Sequence, residues 1–555
     1  MRRNAGAGLV ALAILASGAI RLRLLDLPLE RDEGGYATVA QLLLAGVPPY
    51  AEAYEMRMPG VFLAYALFLG TFGESAEAIR IGLALSNAAS AVLLYLLGRR
   101  IADETTGASA AVLFAATSLA ASVLGLAANT EHFVLLPAIA GLCVLAAPVT
   151  TGRAFWGGCL LGLALLTKQT AAPLVACGVV VAWLGVRERG RASTRAALAC
   201  AAAACLPALV AALALVVAGS FEAFWFWTVV YPLTYAAAPP PGAVAAALRE
   251  GLPRVLGTTA PLWLLAGAGG VTGLRSPRLR RAARLALLWL AFAAAAVAAG
   301  QRFRPQHFLL LLPPGALLAG LATSALAALP CLRAPAALRT AQVGVVGVAL
   351  VATLWGDREI LFRMDSRAAS RALHGANPFP EAREIALWLR EHASPGDRVA
   401  VLGSEPQIYF YSRLRPATPY LHAYEMVQDH AYAARMQQDV IERLEASPPR
   451  FVVFVNMGIS WHAAPGAENR LLAWVRERMP LRYVQVGQVN LLDALHTDYF
   501  WGDAARTAPR SPRGWIAIWE RQAKRSSKNP VGQPRPGDPA SRPRPARRPR
   551  SAARR

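Results

Sequence analysis

The sequence predicts a polytopic α-helical membrane protein of about 11 transmembrane helices with a C-terminal α/β domain. Three observations carry that expectation. Apolar residues make up 55% of the chain and come in long, mostly uncharged blocks. Basic residues gather in the short segments on one side of those blocks. Near residue 357 the composition turns to that of a water-soluble domain.

The apolar blocks cover roughly 8–25, 76–98, 107–127, 132–149, 154–167, 170–186, 197–218, 255–273, 284–300, 306–328 and 340–355. A helix needs about 20 such residues to cross hydrocarbon. The blocks lack period-two alternation, which argues against a transmembrane barrel. Backbone groups in lipid must be satisfied within the protein, which leaves a helical bundle. The N-terminal run resembles a signal peptide, but it continues to about Leu25 without a small-residue cleavage site. It reads as an uncleaved first helix.

The positive-inside rule tests this count. With Arg2 and Arg3 in the cytoplasm, the cytoplasmic loops hold Arg99, Arg100, Arg153, Arg187, Arg189, Arg191, Arg195, Arg275, Arg278, Arg280, Arg281, Arg284, Arg333 and Arg339. The outer loops hold few, among them Arg57, Arg80, Arg302 and Arg304. This topology predicts an integral protein of a bacterial-type plasma (inner) membrane. Its N-terminus is cytoplasmic and everything after about Trp355 is extracytoplasmic. Segment 60–72 is too short to cross comfortably, and counting it would invert every later loop. It is expected to lie flat at the outer interface as an amphipathic helix. Segment 221–242, aromatic and ending in three prolines, is expected to form an outer aromatic belt.

Three regions follow: a transmembrane catalytic domain (1–356, with a first outer loop at 26–75), an extracytoplasmic α/β domain (357–522) and a basic tail (523–555). In the α/β domain, 381–393 has helical amphipathicity, while 398–402, 451–455 and 515–519 read as buried strands. No G-x-G-x-x-G occurs. The tail holds 11 Lys/Arg and one acid over 524–555, which is +10 of the net +23. Rich in Pro, Ser and Arg, it is expected to be disordered. With the other basic residues in loops, the charge is a topology signal and implies no nucleic-acid partner. The six cysteines lie in or beside apolar blocks without a CxxC and read as small hydrophobes.

The chemistry-bearing residues gather in the expected outer loops. Glu30, Arg31, Asp32 and Glu33 directly follow the first helix. Such a cluster is also what a solvated membrane edge carries. A polar cleft, however, needs a carboxylate to take a proton from an acceptor hydroxyl. The run Asp32-Glu33-Gly34-Gly35-Tyr36-Ala37, then Ala40-Gln41-Leu42-Leu43-Leu44-Ala45-Gly46 and Pro49-Tyr50, resembles the first outer loop of family 39 membrane glycosyltransferases. These include protein O-mannosyltransferases and lipid A aminoarabinose transferases. Glu55-Met56-Arg57-Met58-Pro59-Gly60 resembles the family's acid-x-Lys-Pro-Pro-Gly segment. Asn129-Thr130-Glu131-His132, Leu165-Leu166-Thr167-Lys168-Gln169 and Arg302-Phe303-Arg304-Pro305-Gln306-His307-Phe308 follow in family order. Arg57 stands where the family commonly has Lys, Met58 replaces a Pro, and Glu131 stands where many members have Asp.

The resemblance implies a type-C glycosyltransferase-like fold and a polyprenyl-phosphate-sugar donor. The acceptor is a hydroxyl on a glycan, lipid or protein. Asp32 is the expected base, and Glu131 a second acid orienting the acceptor or a divalent cation. Arg57, Lys168, Arg302 and Arg304 are expected to hold the donor phosphate. Glu33, Tyr36 and His307 support them. No cofactor is implied with certainty, and the metal question stays open. A single displacement gives inversion; retention needs a second nucleophile about 5 Å from the acid. Competing readings are snorkelling for Lys168, headgroup anchoring for Arg302 and Arg304, and structural roles for His132 and His307. For the whole chain the alternative is a lipid-linked sugar flippase or secondary transporter. Transporters tend to show internal repeats, and none is visible here.

Overall fold

The computed structural model describes residues 5–187, 194–236, 242–464, 466, 467 and 469–522. The expected disordered tail therefore lies outside the described residues. The chain up to Arg521 forms one compact unit.

Its first part is helical throughout: α1 (Ala5–Arg23), α2 (Arg31–Leu44), α3 (Pro59–Phe72), α4 (Ala76–Ile101), α5 (Glu104–Thr117), α6 (Thr130–Leu145), α7 (Thr151–Thr167), α8 (Ala172–Arg187) and α9 (Thr194–Val217). Then come α10 (Phe221–Trp225), a π-turn (Phe226–Val230), α11 (Tyr231–Ala236), α12 (Ala243–Arg275), α13 (Arg280–Ala299), α14 (Leu312–Ala325) and α15 (Pro335–Gly356). Each expected span overlaps one of these helices. Among the described residues, seven helical stretches are long and apolar enough to cross a membrane. They expose side chains such as Leu15, Val210, Val217, Leu264 and Val348. Surfaces this apolar are stable only against lipid, so the chain is an integral membrane protein.

The ends of these helices follow local rules. Ser75 caps α4 by accepting from Ala78 N–H, and Arg99 and Arg100 sit in its last turn, where cations suit the helix dipole. The span expected at 107–127 stops instead at Thr117, and Leu124 then turns the chain with φ 51°. The carbonyls freed by this turn are satisfied by the buried guanidinium of Arg21, which donates to Ser118 O (2.8 Å) and Gly125 O (3.4 Å).

Two segments differ from expectation. The α3 helix is apolar all round instead of amphipathic, with Val61, Phe62, Tyr65 and Leu69 in the core and Leu63 and Leu67 exposed. Of the aromatic segment expected at 221–242, residues 237–241 lie outside the described residues; the rest turns three of its rings inward and leaves Trp225 and Leu233 exposed. Phe224 is buried against Tyr50, Trp227 against Tyr54 and Tyr420, and Tyr231 against Trp227.

After α15 the chain forms α16 (Ser366–His374), α17 (Phe379–His392), β1 (Arg398–Leu402), α18 (Gln407–Ser412), β2 (Arg415–Pro416), α19 (Ala433–Ala446), β3 (Phe451–Asn456), β4 (Tyr483–Leu491), β5 (Thr497–Trp501) and β6 (Trp515–Arg521). The sheet order is β2-β1-β3-β6-β4-β5. β1 runs parallel to β2 and β3, with Val399 opposite Phe451. β6 is antiparallel to both β3 and β4. The three strands read from the sequence are β1, β3 and β6, and the amphipathic helix is α17. β4 escaped because one of its two buried faces carries amides. Gln485, Gln488 and Asn490 are buried and donate to carbonyls of Ala505 and Pro509. Of the cysteines, Cys177 and Cys200 are buried, whereas Cys205 and Cys331 are exposed; none is bridged.

Candidate active site

The site begins at the start of α2. Glu30 accepts hydrogen bonds from Asp32 N–H and Glu33 N–H, while the Glu33 carboxylate accepts from Glu30 N–H. This reciprocal capping box places three consecutive polar residues in one turn. They consequently point in three directions.

Asp32 points to the cavity side. Its Oδ2 accepts from Arg57 Nη2 at 3.2 Å. Arg57 Nε donates to the Tyr36 hydroxyl at 3.0 Å, and the Tyr50 hydroxyl donates to Arg57 O at 2.6 Å. Burial pushes the Asp32 carboxyl up, but Arg57, His422, Arg304 and Arg31 outweigh it and hold the group below the usual carboxylate range. Glu33 points inward. It is fully buried, ion-paired with Arg80 and bonded by Ala128 N–H. Arg31 points to the sheet domain.

A second pair lies between the helices. Glu131, in the first turn of α6, is ion-paired with Lys168, which ends α7 in an extended conformation. His307 Nε2 lies 3.8 Å from Glu131 Oε1. Gln169 Nε2 donates to Met56 O (2.8 Å) and Thr228 O (3.1 Å), which ties three distant segments together. Gln301 and Phe303 adopt φ 51° and 44°, a conformation that is unusual for residues with side chains. The tight loop they form carries Arg302 and Arg304.

These elements enclose a cavity of about 1030 Å³. Asp32, Arg57, Lys168, Arg302, Arg304 and His307 all line it. One wall is apolar, with Val229, Pro232, Leu233 and Ala299. The sheet domain contributes polar residues to the lining, among them Asn377, Tyr424, Gln428 and His462. Glu131 sits behind Lys168 and Tyr36 behind Arg57, while Glu33 serves the fold through Arg80. Distant sequence segments thus converge on one concave, cationic chamber in which Asp32 is held below the usual carboxylate range.

Three further acids and imidazoles gather at the site, and two of them, His422 and Glu425, gave no signal in the sequence. Glu55 Oε1 and His422 Nε2 lie 2.8 Å apart, both buried. Glu425 is wholly buried with no hydrogen-bond partner for either carboxylate oxygen. Burial, with Glu55 beside it, lifts its carboxyl well above the usual range. Only Glu55 had a sequence cue, two residues before Arg57. Among the described residues no group of three or more His, Cys, Asp or Glu could hold a metal. Glu131, expected to orient the acceptor or a divalent cation, is ion-paired with Lys168.

Residues 56–214 match the family described as dolichyl-phosphate-mannose-protein mannosyltransferase. No curated protein matches the chain. Among solved structures, ArnT from Cupriavidus metallidurans bound to undecaprenyl phosphate is 17% identical. The alignment covers 92% of this chain and 98% of that one, with a TM-score of 0.53. The same enzyme in the apo state is also 17% identical over 93% and 98%, with a TM-score of 0.53. Oligosaccharyltransferase AglB from Archaeoglobus fulgidus, in complex with an inhibitory peptide and a dolichol-phosphate, is 15% identical over 91% and 75%, with a TM-score of 0.49. The likeness to ArnT shows a shared fold, a helical membrane bundle with a C-terminal sheet domain. The family 39 resemblance and the type-C fold read from the sequence are both borne out.

Proposed function

We propose that this integral membrane protein, with its family 39 segment and type-C glycosyltransferase fold, transfers a sugar from a polyprenyl-phosphate donor to an acceptor hydroxyl. The observation that carries this reading is the Asp32–Arg57 pair at the rim of a chamber lined by Lys168, Arg302 and Arg304. The solved relative holding undecaprenyl phosphate supports the donor class.

In this mechanism Asp32 takes the proton of the acceptor hydroxyl as its oxygen forms a bond to the anomeric carbon. The bond from that carbon to the phosphate oxygen breaks, and the lipid phosphate gains a negative charge. No general acid is needed for so good a leaving group. Arg57, Lys168, Arg302 and Arg304 stabilise the growing phosphate charge, the kind of preorganised electrostatics that dominates many rate enhancements. The apolar wall accepts the start of the polyprenyl tail. A single displacement inverts the anomeric centre. Arg57 serves both partners, holding Asp32 ionised and facing the phosphate. Glu131 keeps Lys168 charged in an apolar surround, where an unpaired cation costs about 2.5–3.5 kcal/mol.

The sheet domain and the chamber face the extracytoplasmic side, and the N-terminus is cytoplasmic. The test is release of labelled sugar from polyprenyl-phosphate donors by purified protein in lipid nanodiscs. Asp32→Asn is expected to cut transfer by about 10²–10⁴-fold while leaving undecaprenyl phosphate binding intact. Full activity in that variant would remove Asp32 from the reaction.

A further inference from the structure

A second cavity, of about 390 Å³, lies in the bundle away from the chamber. Leu93, Leu96, Leu97, Arg99 and Arg100 from the end of α4 line it, with Cys143 from the last turn of α6. The other ends of these two helices stand at the chamber. There Arg80 of α4 is paired with Glu33, and Glu131 of α6 with Lys168. Arg80 and Arg100 are 20 residues apart on one continuous helix. At about 1.5 Å per residue this is about 30 Å, the thickness of the hydrocarbon core. The second cavity therefore opens at the membrane face opposite the chamber.

Its two halves differ in character. The floor is leucine. Leu96 is 43% exposed, and Val92, one turn before it, is 42% exposed, so this side meets acyl chains. The rim is cationic. Arg99 lies 3.9 Å from Glu104, whose carboxylate already accepts from the Tyr95 hydroxyl (2.6 Å). Arg100 Nη1 donates to Cys143 O (2.7 Å), and the Cys143 thiol donates to Leu93 O (3.3 Å), which joins α4 to α6 beside the cavity. Among the described residues Arg100 pairs with no carboxylate and makes no other side-chain hydrogen bond. A cation in the last turn of a helix also suits the helix dipole. That role uses charge alone. It requires neither an apolar cavity beside the cation nor guanidinium donors left over.

This combination selects its ligand. A guanidinium fork matches the oxygens of a phosphate, and exposed leucine matches an acyl chain. Inorganic phosphate gains nothing from the leucines. A zwitterionic lipid brings a cation of its own to a rim where two guanidiniums face one carboxylate. Basic pockets between transmembrane helices suit anionic headgroups.

We propose that the α4/α6 cavity binds an anionic glycerophospholipid, with its phosphate on Arg99 and Arg100 and one acyl chain along Val92 and Leu96. The bound lipid ties α4 to α6 at the face opposite the chamber. The inference rests on the bundle lying in a membrane and is independent of the transferase reading.

The test uses full-length protein in phosphatidylcholine nanodiscs. These are doped with phosphatidylglycerol or phosphatidylcholine that carries a diazirine near the head of one acyl chain, and labelled peptides are mapped by mass spectrometry. The phosphatidylglycerol probe is expected to label 92–100 and 143–145 more strongly than the phosphatidylcholine probe. Excess unlabelled phosphatidylglycerol should displace it there but not from 206–217 of α9, where Leu209, Val210 and Leu213 are exposed. Arg100→Gln is expected to cut the labelling of 92–100 about fivefold, the weight of one cation near an anionic headgroup. The double variant Arg99→Gln/Arg100→Gln should bring it to the phosphatidylcholine level. Unchanged labelling of α9 shows that the variants are folded and inserted. Equal labelling of 92–100 by the two probes in the wild type, or displacement there no greater than at α9, overturns the site. Both of these readings use wild-type protein, so they decide the matter even if a variant fails to fold.

Discussion

Arg57 sets the working state of the proposed base. Burial by itself raises Asp32, and the surrounding cations, Arg57 first, bring it below the usual carboxylate value. A depressed acid is ionised above its ordinary pKa, so wild-type transfer should show no acid limb above about pH 4. In Arg57→Ala the strongest lowering influence is gone, the Asp32 pKa rises, and the acid limb of kcat/KM moves to higher pH. An unmoved limb would show that Asp32 does not govern the rate. The same sign applies to stability: what the pair contributes is present above the unfolded carboxylate pKa and is lost as pH falls through the folded one. Glu33, one residue on, belongs to a different system. Its buried pair with Arg80 bridges α2 and α4. Arg80→Ala strands a buried carboxylate and is expected to cost about 3–5 kcal/mol, read as a lower unfolding midpoint. The double variant Glu33→Gln/Arg80→Met should recover part of that loss.

At the scale of elements, α2 is the hinge between membrane bundle and sheet. A Cβ on Gly34 would lie 2.5 Å from the backbone nitrogen of Gln407 in α18, and one on Gly35 would lie 2.6 Å from Glu55 Oε1. Thr38 Oγ1 adds a bond to Pro406 O at 3.1 Å. Only a bare backbone lets α18 sit this close to the turn bearing Asp32. Gly34→Ala is therefore expected to destabilise by about 1–3 kcal/mol. Transfer should fall with it, measured as thermal midpoint and labelled-sugar release in parallel. The sequence showed this glycine pair but not its neighbour, because the contact joins residues more than 370 positions apart. The early end of α5 had the same cause: the turn at 118–125 depends on a guanidinium from α1.

At the scale of the whole molecule, bundle and sheet share one compact unit, and the chamber is lined by both. This placement makes topology testable. In a cysteine-free background, Asp498→Cys on β5 should react with an impermeant thiol reagent in intact cells. Arg278→Cys, between α12 and α13, should react only after permeabilisation. Labelling of both from outside would refute the proposed orientation.

The sequence by itself determined the membrane bundle, since long apolar blocks have one viable conformation in hydrocarbon. It also determined three of the sheet's strands, whose apolar runs have nowhere to go but a core. The family resemblance marked Asp32, Arg57, Lys168, Arg302, Arg304 and His307, which line the chamber. Only the tertiary structure decided which of those charges are committed to one another. Lys168 is matched to Glu131, Arg80 to Glu33 and Arg31 to the sheet's loop carbonyls, each across more than 35 residues of chain. Hydrophobic periodicity is a local property of the chain, whereas an ion pair is chosen by geometry among every charge the fold brings within reach, and sequence spacing carries no record of that choice.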